Sequence, residues 1–275
     1  MGSMASTADL SDLLPHHRQT ITNLVQRFEA DPAVLGLILG GSIAHGFAKA
    51  DSDVDVTIVV SSAEVERRQA ENALTYYATD LATYEGGYVD GKYVDLAALR
   101  LVAERGSDPS RFAYDGARVL FSRIDGLAEL IAEITRYPVA EQASRIERFT
   151  GQLLGWRWYF GQGVGKQDPY LTTFALGKVA LFACRLVLAQ TATLYPHHKW
   201  LMRVTEAVDH KPVDLMPRLR AILAEPSVPA VDSLVDDLLA FYGIDAEAAG
   251  AVWPTHFIRD SEMAWATGRP AIDEI

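Results

Sequence analysis

The sequence predicts an α+β protein: a mixed sheet with flanking helices in the first half, then an all-helical second half. Three observations predict it. Helical and strand patterns alternate up to about Tyr137-Pro138, strand signals vanish beyond that point, and 49% hydrophobic against 22% charged residues is enough to bury a real core. At 275 residues the chain suits two domains. The expected division is a tag scar and flexible N-terminus over 1–12, a sheet-containing domain over 13–137 and a helical domain over 138–275.

Pro15 to Ala30 carries an apolar stripe at Ile21, Leu24, Val25 and Phe28, with a proline in its first turn, and predicts a helix. Ala33 to Leu39 is a short apolar run stopped by Gly40-Gly41, the pattern of a buried strand. Val54 to Val60 is β-branched and predicts a second strand. Ser61 to about Ala78 reads as a helix with Ser61 or Ser62 as its cap. Asp90-Gly91, between Tyr88-Val89 and Lys92-Tyr93-Val94, predicts a two-residue hairpin turn. Ala117 to Phe121 suggests another strand and Gly126 to Ile134 another helix. In the second half, helices are expected over 140–160, 170–194, 199–208, 213–223, 231–241 and 257–267. Most are separated by loops carrying Gly or Pro, such as Gly161 to Gly165.

Charge and cysteine content narrow the function classes. A formal charge of −11 argues against a broad grip on duplex nucleic acid or on an anionic membrane, and mildly favours a cationic small substrate. The single Cys184 cannot form an internal disulfide or a cysteine-based zinc site, which suits a reducing compartment. Met1-Gly2-Ser3-Met4 reads as a cloning scar, with no secretory pattern behind it. The most apolar stretch, 174–194, is interrupted by Lys178 and Arg185. A soluble, cytoplasmic protein is the expectation.

The chemistry concentrates in Gly40-Gly41-Ser42-Ile43-Ala44-His45-Gly46 and the following Asp51-Ser52-Asp53-Val54-Asp55. A buried strand that runs into two glycines, a serine and a short helical turn lets the backbone approach an anion closely. Asp53 and Asp55 lie two apart at a strand start, so both carboxylates point to one face. Like charges so placed repel unless a cation sits between them, and a hard divalent ion such as Mg²⁺ is the natural one. Asp95 is a lone acid in an otherwise apolar strand. If that strand pairs beside the one carrying Asp53 and Asp55, three acids converge and suit metal-assisted phosphoryl or nucleotidyl transfer.

This pattern resembles the nucleotidyltransferase fold shared by DNA polymerase β and the small aminoglycoside and lincosamide adenylyltransferases. Their motif of hydrophobic strand, Gly-Ser, a further glycine, Asp-x-Asp and a later lone acid maps onto Gly41-Ser42, Gly46, Asp53-Val54-Asp55 and Asp95, over roughly residues 30–135. The resemblance implies a nucleotidyltransferase-type sheet and transfer of a nucleoside monophosphate, AMP from ATP before other nucleoside triphosphates. The acceptor would be a hydroxyl of a small molecule, an aminoglycoside-like antibiotic being one candidate, and pyrophosphate the product. It implies Asp53, Asp55 and Asp95 as Mg²⁺ ligands, with Asp95 the first choice for general base; Glu85, by its place near the expected hairpin alone, is a weaker candidate for that role. It implies Gly41 and Ser42 at the β- and γ-phosphates.

Lys178 and Arg185 lie seven residues apart in a helix apolar nearly all round, so they share a stripe and each should face a carboxylate or an anionic ligand. Lys178 reads equally as the triphosphate clamp or as half of an interdomain salt bridge, and Arg185 reads as such a salt bridge before it reads as a helper to the clamp. His45 reads equally as a triphosphate contact or an exposed loop residue. Trp156, Trp158, Tyr159 and Phe160 read as packing, and Asp232, Asp236 and Asp237 as a solvated helix face. Two other classes stand beside the enzyme reading. One is a toxin–antitoxin or regulatory protein acting on a protein or RNA, for which Arg203 and His210 match a helical-nuclease spacing. The other is an inactive nucleotide-binding module.

Overall fold

The computed structural model of the chain describes residues 8–268 and 271–275, so the tag-scar reading of 1–4 lies outside the described residues. The chain packs as two compact units, one ending at Arg136 and the other beginning at Tyr137.

The first unit opens with helix α1 (Pro15–Glu29), whose Ile21, Leu24 and Phe28 are buried at helical spacing. Strand β1 (Val34–Leu39) leads into the single-turn helix α2 (Gly41–Ala44), then β2 (Val54–Val60) and α3 (Ser62–Ala70), capped by Ser61 Oγ accepting from Glu64 N. Next come β3 (Thr75–Ala78), β4 (Val89–Asp95), α4 (Leu96–Arg105), α5 (Asp108–Phe112), β5 (Arg118–Ser122) and α6 (Leu127–Ile134). The five strands order as β3-β4-β2-β1-β5. β1 runs antiparallel to β2 and β5, β3 antiparallel to β4, and β2 parallel to β4. The sheet is covered on both faces. Leu37, Leu39, Val54, Val56 and Ile58 pack with Ile21, Leu24 and Phe28 on one side, and Ile38 and Val59 pack with Leu99, Leu127, Ile131 and Ile134 on the other. Each fully buried Leu or Ile contributes about 1.5–3 kcal/mol of transfer free energy.

Two expectations change here. The predicted hairpin at Asp90-Gly91 is absent, because β4 runs straight through it. Pairing with β2 on one side and β3 on the other takes up the backbone hydrogen bonds that a turn would leave open. Gly91 lies within this strand where a Cβ would come within 2.9 Å of Val56 Cγ2. The helix predicted from Ser61 to Ala78 ends at Ala70, and its last residues form the edge strand β3, where aromatic Tyr76 and Tyr77 suit a pleated surface.

The second unit is helical. After a short 3₁₀ turn (Val139–Glu141) come α7 (Gln142–Lys166), α8 (Pro169–Gln190), α9 (Leu201–Ala207), α10 (Leu215–Ala224), α11 (Val228–Phe241) and α12 (Ala246–Phe257), then short π and 3₁₀ turns. The glycine loop expected at 161–165 is the last stretch of α7 instead. The glycines of α7 serve close approach: a Cβ on Gly163 would lie 2.7 Å from Thr172 N, and one on Gly155 2.3 Å from the Phe257 ring. α12 begins at Ala246, eleven residues earlier than the last helix the sequence suggests, with Asp245 capping it. α8 is apolar and long enough, by length and composition, to cross a membrane, and thirteen of the residues between Ala175 and Ala189 are buried.

Candidate metal and nucleotide site

β2 and β4 build the site. Their parallel register places Asp55 directly beside Asp90, and Asp53 precedes β2 by one residue. Asp53, Asp55 and Asp90 each offer a carboxylate oxygen, and these oxygens lie within 4.8 Å of one another. Opposite oxygens around a Mg²⁺ ion stand about 4.2 Å apart, so small side-chain rotations would close this set on one ion. An all-oxygen, all-anionic donor set is also the chemistry that Mg²⁺ prefers.

The Gly-Ser turn lies against these acids. Gly41 adopts φ +62°, and a Cβ there would fall 1.7 Å from Asp55 Oδ2, so only glycine lets the turn touch this carboxylate. The Gly40 amide donates to the Asp55 carbonyl at 2.9 Å and ties the turn to the strand. Ser42 is buried, and its Oγ has no hydrogen-bond partner among the described residues. A buried hydroxyl without a partner costs free energy that a bound phosphate oxygen would recover.

Three further side chains shape the local field. The Tyr88 hydroxyl donates to Asp53, and this bond together with the Asp53 charge holds its phenol above the ordinary value. Lys92 lies two residues after Asp90 and so on the same strand face, with its Nζ 5.3 Å from the Tyr114 ring centroid. Desolvation lowers its pKa, opposed by the Asp55 charge. His45, open between a triphosphate contact and a loop position, is a partly buried residue whose ring is turned inward. It stacks on Phe112 at 4.5 Å, with Nδ1 3.9 Å from an Asp115 oxygen, and burial holds its pKa below 6.5.

The third acid is therefore Asp90, where the sequence pointed to Asp95. The strand carrying Asp95 does pair with β2, but its register sets Asp95 beside Val60, at the far end from Asp55. Asp95 is also an odd number of residues from Asp90, on the opposite face of β4. Its Oδ1 caps α4, accepting from Ala98 N at 2.7 Å, and hydrogen bonds from the Ser62 side chain and that amide lower its pKa. Had 89–95 been read as one strand, period two would have grouped Asp90 with Lys92 and excluded Asp95. Glu85, the second choice for a base, is exposed in a turn.

In the helical unit, Lys178 faces a carboxylate of its own unit, Asp273. Arg185 is buried, donates to the main-chain oxygens of Asp273 and Ile275, and stacks over Phe149 and Tyr195 at 4.4 and 4.1 Å. Of the two partners expected for each cation, the structure shows protein oxygens. Asp236 and Asp237 form surface pairs with Arg157 and Arg218 at 2.5 and 2.8 Å, and Cys184 is fully buried with its thiol pushed up to about 12.

The sequence profile of a nucleotidyltransferase domain family matches residues 18–120. Among solved structures, a nucleotidyltransferase-like protein from Exiguobacterium sibiricum 255-15 is similar over 92% of this chain and 81% of its own, with 13% identity and a TM-score of 0.46. No curated protein is significantly similar to the chain. The matched segment contains most of α1, the strands β1 to β4, the Gly-Ser turn and all three clustered carboxylates, so the site described above lies wholly within the stretch that is similar to this family.

Proposed function

We propose that the protein is a Mg²⁺-dependent nucleotidyltransferase that moves AMP from ATP to a hydroxyl of a small-molecule acceptor and releases pyrophosphate. The observation that carries this reading is the convergence of Asp53, Asp55 and Asp90 beside the unpartnered Ser42 hydroxyl, within a nucleotidyltransferase domain. Asp53, Asp55 and Asp90 would hold the metal, which when bound supplies neutralisation of the triphosphate charge.

The protein's own groups do the rest. The Gly41 backbone and Ser42 hydroxyl bind the β- and γ-phosphates. Asp90, the exposed member of the three acids, takes the proton of the acceptor hydroxyl as its oxygen bonds to the α-phosphorus. The bond from that phosphorus to the bridging oxygen breaks, and pyrophosphate leaves. Lys92, on the same face, adds positive charge near the site. Positioning and charge neutralisation carry most of the catalysis in such transfers. The net charge of −11 supports a cationic acceptor, and a polyamino sugar such as an aminoglycoside fits that chemistry.

A pyrophosphate-release screen tests the reading, with Mg²⁺, each nucleoside triphosphate and a panel of hydroxylated antibiotics. Turnover with ATP and a cationic acceptor, lost in Asp55→Asn and Asp90→Asn, is expected. Pyrophosphate release within a few-fold of wild type in both variants would end it.

A further inference from the structure

We propose that His17, on α1, is a positioning residue for the metal ligand Asp53 and acts with Tyr84 through the Ser52 carbonyl. The inference rests on the metal-site reading above and deepens it.

His17 occupies the apolar stripe of α1, in line with Ile21, Leu24 and Phe28, and is fully buried. A leucine or phenylalanine would fill that place without desolvating an imidazole. What the histidine adds is one hydrogen bond, from Nε2 to Ser52 O at 3.0 Å. A carbonyl oxygen only accepts, so Nε2 carries the proton and the ring is the neutral Nε2–H tautomer. Nδ1 is buried with no hydrogen-bond partner among the described residues, which leaves that bond to fix the ring.

The Tyr84 hydroxyl donates to the same oxygen at 2.5 Å. Two donors occupy the two lone pairs of a single carbonyl, the one immediately before Asp53. Ser52 O and Asp53 N belong to one planar peptide group, so holding that oxygen holds the plane on the N-terminal side of Asp53. The plane on its C-terminal side is held as well, because Val54 N donates to Tyr88 O at 3.1 Å. With both flanking planes fixed, the direction of the Asp53 Cα–Cβ bond is fixed, and the Tyr88 hydroxyl then orients the carboxylate.

The clamp is itself braced. Thr83, next to Tyr84, donates two hydrogen bonds to α1: its N to Thr20 Oγ1 at 3.2 Å and its Oγ1 to His16 O at 3.1 Å. The Tyr84 ring lies where a Cβ on Gly87 would stand 2.7 Å from it, so the glycine leaves room for the ring. His16 Nε2 is 2.9 Å from Ala50 O and gives the same loop a second tether to α1. Metal sites commonly fix their ligands through such outer partners, whose loss weakens metal affinity about 10–100-fold.

The test is a titration of the full chain with Mn²⁺ alone, free ion being read by electron paramagnetic resonance. It compares wild type, Asp53→Asn, His17→Leu, His17→Gln and Tyr84→Phe, each below its own melting temperature. His17→Leu is expected to weaken Mn²⁺ binding at least about tenfold. His17→Gln, whose amide nitrogen can donate from nearly the same place, should restore most of it, and Tyr84→Phe should weaken binding in the same direction. A purely packing role would change the melting temperature and leave the affinity of the folded protein alone. Mn²⁺ affinity within twofold of wild type in folded His17→Leu and Tyr84→Phe, with Asp53→Asn still impaired, overturns the proposal and leaves the metal site standing. If His17→Leu does not fold, Tyr84→Phe decides by the same criterion. Wild type binding no more Mn²⁺ than Asp53→Asn overturns the metal-site reading and this inference with it.

Discussion

Replacing Gly41 by alanine adds one carbon and should disable the site. The new Cβ would stand 1.7 Å from Asp55 Oδ2, 2.3 Å from its Cγ and 2.5 Å from its Cβ. Ordinary contact begins near 3.4 Å, so the carboxylate or the turn must move by about 1.7 Å. A Mg²⁺–oxygen bond of about 2.1 Å tolerates no such shift, and a displacement of about 1 Å near the chemistry can cost about a hundredfold in rate. The backbone adds its own penalty, since φ +62° costs a non-glycine residue about 1–2 kcal/mol. Gly40→Ala is the matched control: its φ is −132°, and a Cβ there would meet only Ala113 O, at 3.6 Å. Pyrophosphate release under saturating Mg·ATP should fall about a hundredfold in Gly41→Ala and change little in Gly40→Ala, with thermal scans placing the first a few degrees below wild type. Activity of Gly41→Ala within about threefold of wild type would refute the close-approach argument.

Three other outcomes follow from the structure. Asp95→Ala should lose about 1 kcal/mol of stability in denaturant titration, through loss of the α4 cap, and keep its activity, whereas Asp90→Ala should lose activity with little change in stability. Burial holds His17 and His45 below the ordinary 6.5, so the unfolded chain takes up protons first as the pH falls. Stability from these groups is then complete above about pH 6.5 and lost as pH drops through their folded values, and melting temperatures between pH 7.5 and 5 in wild type and His45→Phe should show a smaller acid loss in the variant. Arg148 Nε lies 3.0 Å from Asp260 Oδ2, with both side chains buried. Asp260→Ala leaves that guanidinium uncompensated and should cost about 3–5 kcal/mol, part of which Arg148→Met in the same chain should recover.

Much of this molecule was legible in local pattern. The α1 stripe, the apolar run of β1 and the β-branched run of β2 each declare their element within a few residues, because burial periodicity is written in the residues themselves. The Asp53–Asp55 pair and the Gly-Ser turn are legible for the same reason: two residues along a strand always share a face, and Gly41 marks a backbone conformation that side chains disfavour. What local pattern could not supply was register. Whether Asp90 or Asp95 meets Asp55 depends on how β4 slides along β2, and a central strand supported from both sides can run through an Asp-Gly pair that would turn an isolated one. The glycines at 161–165 and the edge strand β3 escape local pattern likewise, since Gly163 serves the approach of α8 and β3 the open edge of β4. His17 shows the same division. Its sequence position marks it only as one more member of an apolar helical stripe. Folding carries α1 against a loop thirty-five residues away and gives that ring a carbonyl to hold, because long-range contacts are set by the packing of whole elements and not by the neighbours of any one residue.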